Sequence, residues 1–71
     1  MTPDQYKRKR RDLVRQRTKY KGNVPITNRI TIMINLLKEF MEAPNKAREE
    51  TVEKAILRTA KELDDLMLRR S

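Results

Sequence analysis

Three segments with helical periodicity follow one another along this chain, separated by its proline- and glycine-bearing stretches. From Ile26 onward the apolar positions are Ile26, Ile30, Met33, Leu37 and Phe40, with Ile34, Leu36 and Met41 alongside. Spacings of four, three, four and three lay a single seam along a helix. Thr27 or Asn28 supplies a cap, and Ala43-Pro44-Asn45 ends the element because proline is not tolerated inside a continuing helix, so a helix is expected over about residues 27–43. The spacing then recurs in Val52, Ile56, Thr59, Leu63 and Leu66, flanked by Ala55, Ala60 and Met67. Glu50 and Lys54 form an expected i,i+4 pair, and Arg69 and Arg70 suit the negative end of this helix. Two seams joined by a short link predict an antiparallel helical hairpin.

The N-terminal segment has a different character. Thr2-Pro3-Asp4-Gln5 has the composition of a helix start, with Thr as N-cap, Pro at the first helical position and Gln placed to close a capping box. This helix is expected to run from Pro3 to near Lys21, since Gly22 is the only glycine and Pro25 disfavours helical backbone at Val24. Residues 22–25 are thereby expected to be a hinge. At about 100° per residue, Tyr6, Leu13 and Tyr20 fall on one side with Val14 beside them, and Arg8, Arg11, Arg15 and Lys19 fall on the other. Arg10 and Arg17 interrupt the apolar stripe, which is too thin to hold the helix on a core by burial alone.

The expected fold is therefore all-α with three helices, a basic N-terminal helix in residues 1–23 followed by a hairpin in residues 24–71. A lone core in 71 residues seldom leaves more than about 3–5 kcal/mol of stability. Self-association is expected to supply the remainder, most simply as a dimeric bundle of two hairpins.

Charge changes the picture by its placement more than by the net +8. Residues 1–23 hold nine basic and two acidic side chains, whereas residues 24–71 hold nine and eight. A basic block on a nearly neutral body is the electrostatic footprint of a nucleic-acid-binding element. The candidate contacts are Lys7, Arg8, Arg10, Arg11, Arg15, Arg17, Lys19 and Lys21 for phosphates, with Tyr6 and Tyr20 for stacking on unpaired bases. Asp12 stands one turn after Arg8 and three residues before Arg15, where it would pair locally and extend those side chains. The competing readings are a solvated basic face and a patch for an acidic protein surface.

Other chemistries find little support. Without cysteine or histidine the chain lacks disulfides and the usual ligands of a structural zinc or members of a catalytic dyad, so no cofactor and no catalysis are expected. Glu62, Asp64 and Asp65 cannot share one helical face and are taken as solvated. The methionines are taken as core filler. No apolar run approaches a membrane span and the N-terminus is charged, so a soluble, cytoplasmic protein is expected.

Two stretches resemble known families. The basic segment, with Asp4-Gln5 at its start, the cluster Lys7 to Arg11 and basic residues onward to Tyr20, resembles the arginine-rich peptides of the N-type antiterminators of lambdoid phages. That resemblance implies a helix that binds a hairpin RNA and a role in transcription regulation. Arg29 to Asn35, read RITIMIN, is rich in β-branched residues and resembles the strand of ribbon-helix-helix DNA-binding repressors, implying a strand that pairs with its twin in a dimer. The reading preferred on the residues is a non-enzymatic nucleic-acid-binding regulator, with RNA favoured over DNA. A small phage-type inhibitor or adaptor, docking its basic helix on a host protein such as RNA polymerase or a nuclease, is the alternative from a different class.

Overall fold

In a computed structural model, residues 2–70 are described, Arg70 by its backbone alone. They form three helices, α1 (Pro3–Lys19), α2 (Val24–Glu42) and α3 (Lys46–Arg70), and no strand occurs among them. At about 1.5 Å per residue α3 is about 37 Å long, which accounts for the 39 Å long dimension of the Cα trace.

Each boundary has a local cause. The capping box at the start of α1 forms as its sequence implies: Thr2 Oγ1 accepts from the Gln5 N–H at 3.2 Å, and Gln5 Oε1 accepts from the Thr2 N–H at 3.1 Å. α1 closes two residues earlier than expected, at Lys19, so Lys21 lies in the turn. Gly22 takes a φ of 97° there, in the left-handed region that favours glycine. α2 begins three residues before the position expected from Thr27 or Asn28, because Asn23 is the cap and its Oδ1 accepts from the Ile26 N–H at 3.4 Å. Pro25 is accommodated in the first turn, where its missing N–H has no intrahelical partner to lose, and Val24 is helical in spite of the proline that follows it. The expected hinge at 22–25 is thus reduced to the short turn before Val24. Asn45 starts α3 in the same way, its Oδ1 accepting from the Arg48 N–H at 2.8 Å.

Residues 29–35, which resemble a ribbon strand, are helical. Period decides the matter: Ile26, Ile30, Met33 and Leu37 are all buried, and alternation by twos would have put Ile30 and Met33 on opposite faces. The threonines that favour strands are accommodated by bonding back one turn, Thr27 Oγ1 donating to the Asn23 carbonyl at 3.0 Å and Thr31 Oγ1 to that of Thr27 at 2.9 Å. Buried Thr59 does the same toward the Ala55 carbonyl at 2.9 Å, so its hydroxyl costs the core no unsatisfied group.

α2 is the middle element, with α1 and α3 each packed against it. One buried cluster joins Leu13 of α1, the four seam residues of α2 and Leu63 of α3, and Tyr6, Tyr20, Ile56, Ala60, Leu66 and Met67 pack around it. Leu37 and Ile30 have no exposed surface. The seams expected to meet those of a second copy are therefore filled from within the chain, and α1 is one of the fillers.

Ion pairing departs from expectation. Among the described residues the pair within 4 Å is Arg29 with Glu62, between α2 and α3, and neither Asp12 with Arg8 or Arg15 nor Glu50 with Lys54 is joined. Arg29 Nε lies 2.8 Å from Glu62 Oε2. Its N–H is nevertheless without a hydrogen-bond partner, so the contact is ionic rather than an aligned hydrogen bond. With both side chains about two-fifths exposed, at 39% and 44%, it contributes in the range of surface pairs, about 0–1 kcal/mol.

Replacing Leu37 by Ala is expected to cost about 2–5 kcal/mol, against well under 1 kcal/mol for Ile32→Ala at a position 41% exposed. Urea unfolding followed by circular dichroism measures both, and equal losses would mean that the α2 seam is not the core.

Candidate nucleic-acid interface

α1 is attached to the body by the apolar stripe, thin as it is. Leu13, 7% exposed, is the one buried side chain of the helix, while Tyr6 and Tyr20 stand seven residues to either side, half-buried against the same cluster. Three side chains at that spacing fix the rotation of the helix about its own axis. The remainder of the circumference faces solvent, and it is there that the cations lie.

Lys7, Arg8, Arg10, Arg11, Arg15, Arg17 and Lys19 on the helix, and Lys21 in the turn after it, are all exposed. So is Lys9, which was not among the candidate contacts although it belongs to the same basic run. Arg10 and Arg17, which interrupt the apolar stripe in the sequence, are accommodated at its solvent-facing edge. Asp12 is exposed and unpaired among the described residues, which leaves Arg8 and Arg15 without the local partner expected for them. No α1 cation takes part in an ion pair among the described residues. Arg8 to Lys19 spans eleven residues, about 16 Å at the helical rise. That length faces about five phosphates at the 3.4 Å axial spacing of one strand, so four cations along this line can each meet their own phosphate.

The tyrosines are divided between two duties. Each ring packs against the core cluster and keeps part of its surface open. Lys19 Nζ stands 5.7 Å from the centroid of the Tyr20 ring, near the outer limit of a cation–π contact, and so ties a basic group to the end of α1. A shallow hollow at the α1–α2 corner, lined by Lys19, Tyr20, Lys21, Gly22 and Val24, continues the basic surface past the helix end.

Among the described residues no helix is long and apolar enough to cross a membrane. The acidic residues of α3 are not grouped as a metal site among the described residues, and Glu62 is engaged by Arg29. Compared with known proteins, the chain matches no family model, no curated protein and no solved structure.

Crowded, unpaired cations repel one another, and the repulsion is screened by salt with a Debye length falling from about 30 Å at 0.01 M to about 8 Å at 0.15 M. Melting of α1, followed by amide exchange of residues 6–19, is accordingly expected to slow as salt rises over that interval. Leu13→Ala should release α1 selectively, speeding exchange there while residues 30–37 stay protected. Uniform acceleration along the chain would show that α1 and the other helices unfold as one unit.

Proposed function

We propose that this chain is a small non-enzymatic nucleic-acid-binding regulatory protein of the cytoplasm, which binds RNA in preference to DNA through the solvent face of α1. The observation that supports the reading is a run of nine exposed cations from Lys7 to Lys21, eight on α1 and one in the turn after it, none of them in an ion pair among the described residues. What sets α1 apart is crowding, nine cations against two acids in residues 1–23 where the rest of the chain has nine against eight, and phosphates are the chemical complement of such a face.

In this reading α2 and α3 form an antiparallel hairpin that self-associates and carries the basic helix. Arg8, Arg11, Arg15 and Lys19 supply the central line of phosphate contacts, with Lys7 beside it, Lys21 beyond its end, and Arg10 and Arg17 at the edge of the apolar stripe on the other side of the helix. RNA is favoured because Tyr6 and Tyr20 retain exposed ring surface beside the cations, suited to unpaired bases in a loop or bulge. Phosphate contacts carry affinity and position, so sequence preference falls to those rings and to the shape of the target.

Fluorescence anisotropy with a labelled RNA hairpin, a single strand and a DNA duplex tests the reading. Log K against log salt should fall with a slope of roughly −3 to −4, each single change of Arg8, Arg11, Arg15 or Lys19 to Ala removing somewhat under one unit. If the quadruple Ala variant binds as tightly as the parent at about 150 mM salt, the α1 face is not the site. Tight one-to-one capture of a host protein from nuclease-treated lysate, with weak binding to all three nucleic acids, would transfer the same face to an acidic protein partner.

A further inference from the structure

Charge divides along the chain at a later point than the end of α1. Residues 1–38 hold eleven basic and two acidic side chains, and residues 39–71 hold seven and eight. α2 therefore carries no acid before Glu39 in its last turn, whereas six acids stand on α3. Of the two α2 cations, Arg29 is held by Glu62, and Lys38 is exposed and outside any ion pair among the described residues. A polyanion seated on α1 thus meets no opposing charge over most of the length of α2.

The packing of the two helices fixes where on α2 such a polyanion would lie. Arg17 and Lys21 line one hollow with Thr27, so this flank of α1 borders the Thr27 edge of α2. α1 and α2 pack together across a short turn and run antiparallel, so each step back along α1 matches a step forward along α2. Arg17 then stands level with Thr27 and Asn28, Arg10 with Ile34 and Asn35, and Lys7 with Lys38. Asn28 and Asn35 are exposed and seven residues apart, on one side of α2 at a separation of about 10 Å. Arg10 and Arg17 have the same spacing on α1, so the two pairs form two rungs across the face. Lys21 lies beyond one end, and Asp4, Glu39 and Glu42 close the other, past Lys7 and Lys38. The opposite flank of α1 differs, because Asp12 lines its hollow together with Gln5, Arg8 and Lys9.

Phosphate oxygens only accept hydrogen bonds, which selects among the side chains of this face. Thr27 and Thr31 already donate to the Asn23 and Thr27 carbonyls. The donors left on this side of α2 are the Asn28 and Asn35 amides and the Lys38 ammonium. We propose that the nucleic-acid site extends from α1 across the α1–α2 face, where Lys38 meets a phosphate and Asn28 and Asn35 donate to phosphate oxygens of the backbone held by Arg10 and Arg17. Contacts of this kind hold register and orientation. The inference rests on the nucleic-acid reading of α1 and deepens it, making α2 a contact element as well as the support of α1.

Fluorescence anisotropy with the labelled RNA hairpin tests the proposal. Lys38→Ala is expected to reduce the salt slope by somewhat under one unit, as a single change on α1 does. Lys54→Ala removes the same charge from an exposed position on α3, off the face, and is expected to leave the slope unchanged. Asn28→Ala with Asn35→Ala should lower affinity about tenfold with the slope retained, since two neutral hydrogen bonds are lost and no charge is. Alanine is the better helix former at both asparagine positions, so the double variant keeps its fold. A Lys38→Ala slope no different from that of Lys54→Ala, or a double asparagine variant that binds as the parent does, overturns the proposal. Either result beside a weakened quadruple Ala variant of Arg8, Arg11, Arg15 and Lys19 removes α2 from the site and leaves the reading of α1 standing. A quadruple variant that binds like the parent overturns both.

Discussion

Ile26, Ile30, Met33 and Leu37 form the surface on which the rest of the molecule depends, because both other helices rest on the helix that carries them. A small chain cannot bury a helix on all sides, and here the single broad apolar stripe lies on the middle element, flanked by two helices that are apolar on only a narrow face. Burial of such side chains is worth about 1.5–3 kcal/mol each before the entropy of ordering is subtracted. With four of them on α2, a loss there affects the docking of α1 and α3 together, whereas a loss on either outer helix acts mainly on that helix.

The consequence for α1 is a conflict between charge and packing, settled narrowly in favour of packing. Its cations repel each other over distances shorter than a Debye length, and Asp12 does not offset them. What opposes the repulsion is the contact of Leu13 and two half-buried tyrosines with the cluster. A disordered basic peptide that folds on its target loses part of its interaction energy in becoming ordered. A helix already formed and held in one rotation loses less, and it presents its cations as a fixed row rather than as a cloud of charge.

Much of this architecture was legible in the sequence because local rules and the global fold agree. The Thr2-to-Gln5 capping box, the four-three spacing of both seams and the break at Pro44 each have one reading, and the helices follow them. The Arg29–Asn35 stretch had two readings, since β-branched residues favour a strand while their spacing favours a helix. Burial of one whole face outweighs a propensity difference of tenths of a kcal/mol per residue. The start of α2 was hidden by a conflict of another kind: Asn23 is a good cap, but Pro25 two residues later argues against a helix unless it falls in the first turn, where the objection lapses. The Arg29–Glu62 contact and the docking of α1 were not legible, because both depend on the relative placement of helices, which no single-helix pattern encodes. For the candidate site, the sequence identified which residues carry charge. The structure added that all of them are exposed and that the tyrosines are shared with the core.

The two faces with unusual charge are solved differently by the same chain, and the difference bears on what each is for. On α1 one sign prevails, with nine cations against two acids in residues 1–23, so a second basic helix brought near would add to the repulsion. On α3 acids and bases are interspersed, Arg58 before Glu62 and Asp65 before Arg69, each pair one turn apart, so the helix offsets much of its own charge. A face of mixed sign is largely compensated within the chain, and a face of one sign calls for a partner of the other.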